Sequence, residues 1–213
     1  MRLSAFVLTL VTATGIGCGG LPGVGGGGGG GAYKPDAVTE NQFGGDLTGA
    51  KTGYWMSYAS DASGNKSTTK IIVVGDGWVE WWMDAGAVTF GHLFEIKDKK
   101  IVNAWAAGKG DKEWTKIKVN PPPTGGETPK STIKDSDEAK EVKAGKFNCH
   151  RQDVTTTISG KDYKSTMWFA KDVWKLQGGS EHGGFVAMET EGMKMWLDGK
   201  GEDGKPTLEM PKK

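Results

Sequence analysis

The chain has little of what most enzymes and nucleic-acid binders need. Its 213 residues hold two cysteines, three histidines and two arginines, Arg2 and Arg151. Bidentate recognition of phosphate favours arginine, and no basic patch replaces it, so nucleic acid is not an expected partner. His92, His150 and His182 stand far apart, with no HxH or HxxxH spacing. No metal ligand set is legible and no cofactor is expected. No serine sits in a G-x-S-x-G elbow. Gly75-Asp76-Gly77 and Gly108-Lys109-Gly110 precede no helical pattern, so they read as hairpin turns and not as phosphate cradles. These absences predict no catalytic residues, hence a protein that is not an enzyme. No apolar run is long enough for a transmembrane helix, and no segment carries a long helical apolar stripe.

Glycine is abundant, and much of it is at one end. Met1-Arg2 begins the chain, Leu3–Ala13 is apolar, and small residues lead through Gly15-Ile16-Gly17 to Cys18. Gly19, Gly20, Gly23 and the unbroken run Gly25–Gly31 follow. This order of charge, apolar run, small residues and Cys resembles the bacterial lipoprotein signal, with Gly15 standing where an aliphatic residue is usual. The resemblance implies that residues 1–17 are removed, that Cys18 is acylated, and that the lipid anchors the protein to a membrane. The alternative is an ordinary secretory signal cut nearby, with Cys18 incidental. Residues 18–36 are then a tether, with a root-mean-square reach of roughly 20 Å for its glycine-rich part. Export to the cell envelope is the expected localisation. Gly19, where Asp would suggest inner-membrane retention, favours the outer membrane.

Without the signal, 196 residues remain, carrying 26 basic and 26 acidic side chains once Arg2 is gone. That suffices for one domain with a core. Cys149 is the only thiol beyond Cys18. It shares a strand face with Phe147 and Arg151, and reads as a small buried hydrophobe with no disulfide partner.

From Gly53 the pattern is a meander. Strands are expected at 54–59, 67–74, 78–83, 88–96, 101–106 and 114–119, separated by Gly, Asp and Asn turns. A second set is expected at 147–158, 163–170, 185–190 and 193–197. Residues 120–139 read as a long polar loop, with a helical turn near Ser136–Val142 capped by Ser136. Residues 201–213 read as a flexible tail. The expected fold is all-β with minor helix: a β domain over 37–200, built on one curved antiparallel sheet in a half-open barrel.

Residues 141–200 add a resemblance. Val142-Lys143-Ala144-Gly145-Lys146-Phe147-Asn148-Cys149 is similar to a V-x-A-G-x-F-x-C strand start found in exported β-sheet proteins related to the bacterial lipoprotein-localisation carriers. Met167–Val173, Gly184–Glu189 and Met193–Gly199 are similar to the strands that follow it there. Trp174 stands where those relatives usually have proline. The resemblance implies a curved sheet whose concave side can hold acyl chains.

Several strands are apolar on both faces. Trp78 and Trp82 oppose Val79, Trp81 and Met83, while Met193, Met195 and Leu197 oppose Trp196. Two apolar faces need two covers, because a one-sided sheet alternates apolar with polar. Two readings follow. In the first, Trp78, Trp82, Met193 and Met195 line a concave side that binds or carries an apolar ligand. In the second, these side chains are core, and the domain is a structural or protein-interaction module with no small-molecule ligand and an unidentified protein partner. Glu80, between Trp78 and Trp82, is a candidate acid if the indoles desolvate it. The bland alternative is a rim position or a pairing with lysine.

Overall fold

The computed structural model describes residues 35–122, 130–158 and 160–211. Among them there is no helix. Thirteen strands form one open, curved, mixed sheet. They are β1 (Ala37–Thr39), β2 (Trp55–Ala62), β3 (Asn65–Gly75), β4 (Trp78–Asp84), β5 (Thr89–Lys97), β6 (Lys100–Gly108), β7 (Thr115–Asn120), β8 (Lys130–Val142), β9 (Gly145–Ile158), β10 (Lys161–Ala170), β11 (Gly179–Ser180), β12 (Gly183–Thr190) and β13 (Met193–Gly201). The spatial order is β1-β7-β6-β5-β4-β3-β2-β13-β12-β10-β9-β8, with β11 beside β12. All pairings are antiparallel except β1 with β7.

Local chemistry sets the hairpins. Asp98 and Lys99 both have positive φ (49° and 63°), as do Ser63 and Gly64 (53° and 89°). Two-residue loops of this kind match the right-handed twist of the strands they join. Asp61 accepts the Gly64 amide at 2.8 Å and holds the second of these turns.

Two meanders, β2–β7 and β8–β13, meet where β2 pairs with β13. Curvature follows from connectivity. Asn120 ends β7 and Lys130 starts β8, on opposite sides of the sheet. The nine residues between them reach at most about 35 Å. Eleven flat strands from β7 to β8 would span roughly 48 Å, so the sheet must bend.

Strand register assigns the faces. Met56, Tyr58, Ile71, Val79, Phe94 and Ala104 share one face with Leu197, Met195 and Met188. All are nearly fully buried in a single cluster, the core face. Phe43, Val173 and Leu176, from the segments around β1 and after β10, join the same cluster.

Three expectations need correction. Residues 130–142 are strand β8, neither loop nor helical turn, paired with β9 along its whole length. The C-terminal segment after Gly201 is docked on the sheet: Gly204 donates to the Gly53 carbonyl at 2.8 Å, and Asp203 accepts from Trp55 Nε1 at 2.8 Å. One pairing is parallel, where the expected sheet was antiparallel throughout. The signal, Cys18 and the glycine run lie outside the described residues.

Candidate functional site

The structure does not bring Trp78, Trp82, Met193 and Met195 together. Met193 and Met195 lie on the core face, with Met195 only 4% exposed. Trp78 and Trp82 lie on the opposite face, in register with Gly75 and Lys70 of β3 and with Glu95 and Gly91 of β5.

That opposite face carries the most distinctive side-chain array of the molecule. Trp55, Ile72, Glu80, Leu93 and Trp105 form one continuous row across β2–β6. Trp78 and Trp82 stand two residues either side of Glu80 on β4, so Glu80 is the centre of a cross with a tryptophan at each end. Ile72, Leu93 and Glu80 have no exposed surface. The indoles are half-buried. Trp78 meets Trp105 with ring centroids 5.3 Å apart, and Trp82 meets Trp114 at 5.7 Å. A glycine is required below Trp82, because a Cβ at Gly91 would come within 2.5 Å of the indole. Lys70 and Lys116 place ammonium groups 5.2 Å and 5.6 Å from the Trp55 and Trp105 ring centroids, cation–π contacts worth under about 1 kcal/mol each at such exposure.

Glu80 answers the question its sequence position raised. It is neither at a rim nor paired with lysine. Its carboxyl group accepts from Trp82 Nε1, and its two oxygens accept the Thr207 amide at 2.9 and 3.0 Å. A buried carboxyl group without such donors would cost several kcal/mol. Glu80 therefore fixes the segment 202–209 as a strap beside the tryptophans. Thr207 lies 127 residues away in sequence, and no local signal announces the contact.

The notable titratable groups fall in separate places, a lone histidine on the core face and a cluster on β8–β9. His92 is 3% exposed on the core face among Trp81, Phe90 and Phe94, and neither ring nitrogen has a hydrogen-bond partner among the described residues. Burial lowers its pKa to about 4. His150 lies between two carboxylates, Asp137 on Nδ1 and Asp135 on Nε2, each at 3.0 Å. Burial pulls its pKa down, but the two aspartates outweigh burial and the net direction is up. His182, 32 residues away in sequence, stacks on His150 with centroids 3.4 Å apart. Among the described residues no group of three or more His, Cys, Asp or Glu is arranged to hold a metal ion. Cys149 is buried, its thiol donating weakly to the Phe147 carbonyl, and burial lifts its pKa to about 11.

A cleft of about 310 Å³ opens between Asp46–Ala50 and Val173–Lys175. Thr48 donates its hydroxyl (2.7 Å) and its amide (2.9 Å) to Asp46, which holds that carboxyl below its usual range. The Trp174 ring there is stacked on Tyr54 at 4.0 Å. Most of its lining is at least partly exposed, and Val173 is the lining residue that belongs to the core cluster.

No family model and no curated protein matches the chain. Among solved structures, it is similar to a Bacteroides fragilis protein named as inferred to be exported, with a YmcC-like fold. That alignment covers 71% of this chain and 96% of the other, at 11% identity and a TM-score of 0.34. A likeness this loose carries no argument about fold or function.

Proposed function

We propose that this chain is a lipid-anchored protein of the cell envelope, held by an acylated Cys18, whose β domain is a non-catalytic interaction module and not a carrier of an apolar ligand. One observation carries the second half of this reading. The core face, where an acyl chain would lie, is occupied by the protein's own side chains: Met56, Tyr58, Phe185, Met188, Met195 and Leu197 are each at most 4% exposed. Tyr58 further ties β2 to β12 by donating its hydroxyl to the Phe185 carbonyl at 2.9 Å. A carrier needs a cavity of several hundred Å³ lined by such groups, whereas here they pack on one another. The anchoring half rests on the order of residues around Cys18.

The test has two arms. An apolar fluorescent probe titrated into the native protein should show no saturable binding and no energy transfer from tryptophan. A saturable site weakened by Met195→Ala would restore the carrier reading. Separately, Cys18→Ser should move the protein from the membrane fraction to the soluble one or leave an unprocessed precursor. A mature wild-type protein with no acyl group on Cys18 would refute the anchor.

A further inference from the structure

We infer that the half-exposed tryptophan face near β7 is a docking surface for a lipid bilayer, so that the domain lies against the membrane that anchors it. The inference rests on the lipid-anchored reading for its geometry. Its first support is composition. Trp78, Trp82, Trp105 and Trp114 are gathered on one side of β4–β6 and are half-buried. Indoles favour the boundary between hydrocarbon and headgroup, and here they offer mainly ring area, since the Trp82 N–H is taken by Glu80 and the Trp114 N–H is buried. Its second support is charge. Lys116 shares the face through its register with Trp105, and Lys118 follows on the same side of β7. Both are exposed. Lysine stems can lie along apolar surface while the ammonium reaches anionic headgroups. The acids of this face are each engaged: Glu80 is buried beneath the strap, Glu95 lies 3.3 Å from Lys97, Asp84 at the exposed end of β4 accepts the Gly86 amide, and Asp203 accepts from Trp55 Nε1.

The third support is where the tether arrives. Residues 18–34 precede the described fold, which begins at Pro35. Asp36 accepts the Lys118 amide at 3.1 Å, and β1 then pairs with β7. The tether therefore joins the domain at the strand that carries Lys116 and Lys118 and neighbours Trp105. With a reach of roughly 20 Å, a lipid on Cys18 would hold this edge at the bilayer.

The experiment uses the mature protein in vesicles of phosphatidylethanolamine and phosphatidylglycerol whose acyl chains are brominated near the headgroup. Intact mass reads acylation independently. Bromine quenches only tryptophans within contact of the lipid. Four of the nine tryptophans lie at the β7 end of this face, with Trp55 set apart on β2 against Asp203, so emission should fall by up to roughly 40%, with a blue shift. The double variant Trp78→Phe with Trp105→Phe should lose about half of the quenched component, whereas Trp174→Phe, in the Tyr54 stack, should lose none. If the double variant fails to fold, quenching of the wild type decides. An acylated protein whose tryptophans are unquenched overturns the inference and leaves the anchor standing, pointing to a protein partner for this face. If the mass shows no acyl group, the anchor fails, and the same vesicles mixed with soluble protein still decide whether the face binds lipid.

Discussion

Residues 55–120 and 130–201 are both meanders joined through β2 and β13, yet they cover the face opposite the core with different chemistry. In the first meander the cover is a layer of half-exposed indoles over Leu93, Ile72 and Gly91, closed on one side by the strap on Glu80. In the second it is a charged hairpin. Trp168 is 5% exposed, donates to Glu138, and lies beneath Lys140, whose ammonium is 3.5 Å from the ring centroid and 2.8 Å from Glu189. A helix-free sheet with two apolar faces can thus be finished by aromatic side chains or by the aliphatic stems of paired charges. The indole layer leaves apolar area at the surface, whereas the charged layer leaves ions.

The histidines sharpen the contrast. His92 in the first meander is buried with no hydrogen-bond partner among the described residues, and His150 in the second is held between carboxylates. Their pKa values move in opposite directions.

The largest expected effect separates the two covers. Trp168→Ala should cost about 4 kcal/mol of unfolding free energy, since it empties a buried site and leaves Lys140 and Glu138 without their partner. Trp82→Ala, half-buried, should cost about 2 kcal/mol. Denaturant titration of both variants checks the order, and a reversal would make the indole layer part of the main core.

Next comes acid. With a folded pKa near 4 and an unfolded value of 6.5, His92 takes up a proton more readily in the unfolded chain. It withholds stability as pH falls from about 6.5 to 4, on the order of 3 kcal/mol in total. His92→Leu should flatten that part of the pH profile relative to wild type, and an unchanged slope would show that His92 has found a partner. His150 has the opposite sign. Its raised folded pKa adds stability that is complete below the unfolded value and is lost as pH rises through the folded one, so His150→Gln should lower stability only on the acid side.

The smallest effect tests the strap. Glu80→Gln removes one acceptor from the Thr207 amide and should cost about 1 kcal/mol, with faster hydrogen exchange at Thr207 and earlier proteolysis after Gly201. If exchange at Thr207 stays slow while the whole protein loosens, Glu80 supports the sheet and not the strap.

Much of this architecture was legible in the sequence. Ten strands fall within a few residues of their expected positions, because Ser63-Gly64-Asn65, Lys97–Lys100 and Glu191-Gly192 are strong turn signals between alternating segments. Side-chain parity within strands was legible as well: Val79, Trp81 and Met83 do oppose Trp78 and Trp82. Strand order was not. Trp78 and Met195 could be placed on a common face only by guessing which strands adjoin, and the closing pair β2–β13 joins residues more than 130 apart. β8 was missed for a different reason. Apart from Ile133, Ala139 and Val142 it is polar on both faces, and it is a strand because β9 offers thirteen register partners. The array around Glu80 was half visible, since Trp78 and Trp82 flank it on β4. Trp105, Trp114 and Thr207 reach it only through tertiary contact.

Native and denaturing mass spectra of the mature protein, purified from membranes in mild detergent, test the central account most directly. The account predicts one mass in both spectra: the chain from Cys18 with its covalent acyl groups and nothing more. A native species heavier by one lipid per chain, lost on denaturation, would contradict the filled core, and a chain without acyl groups would contradict the anchor.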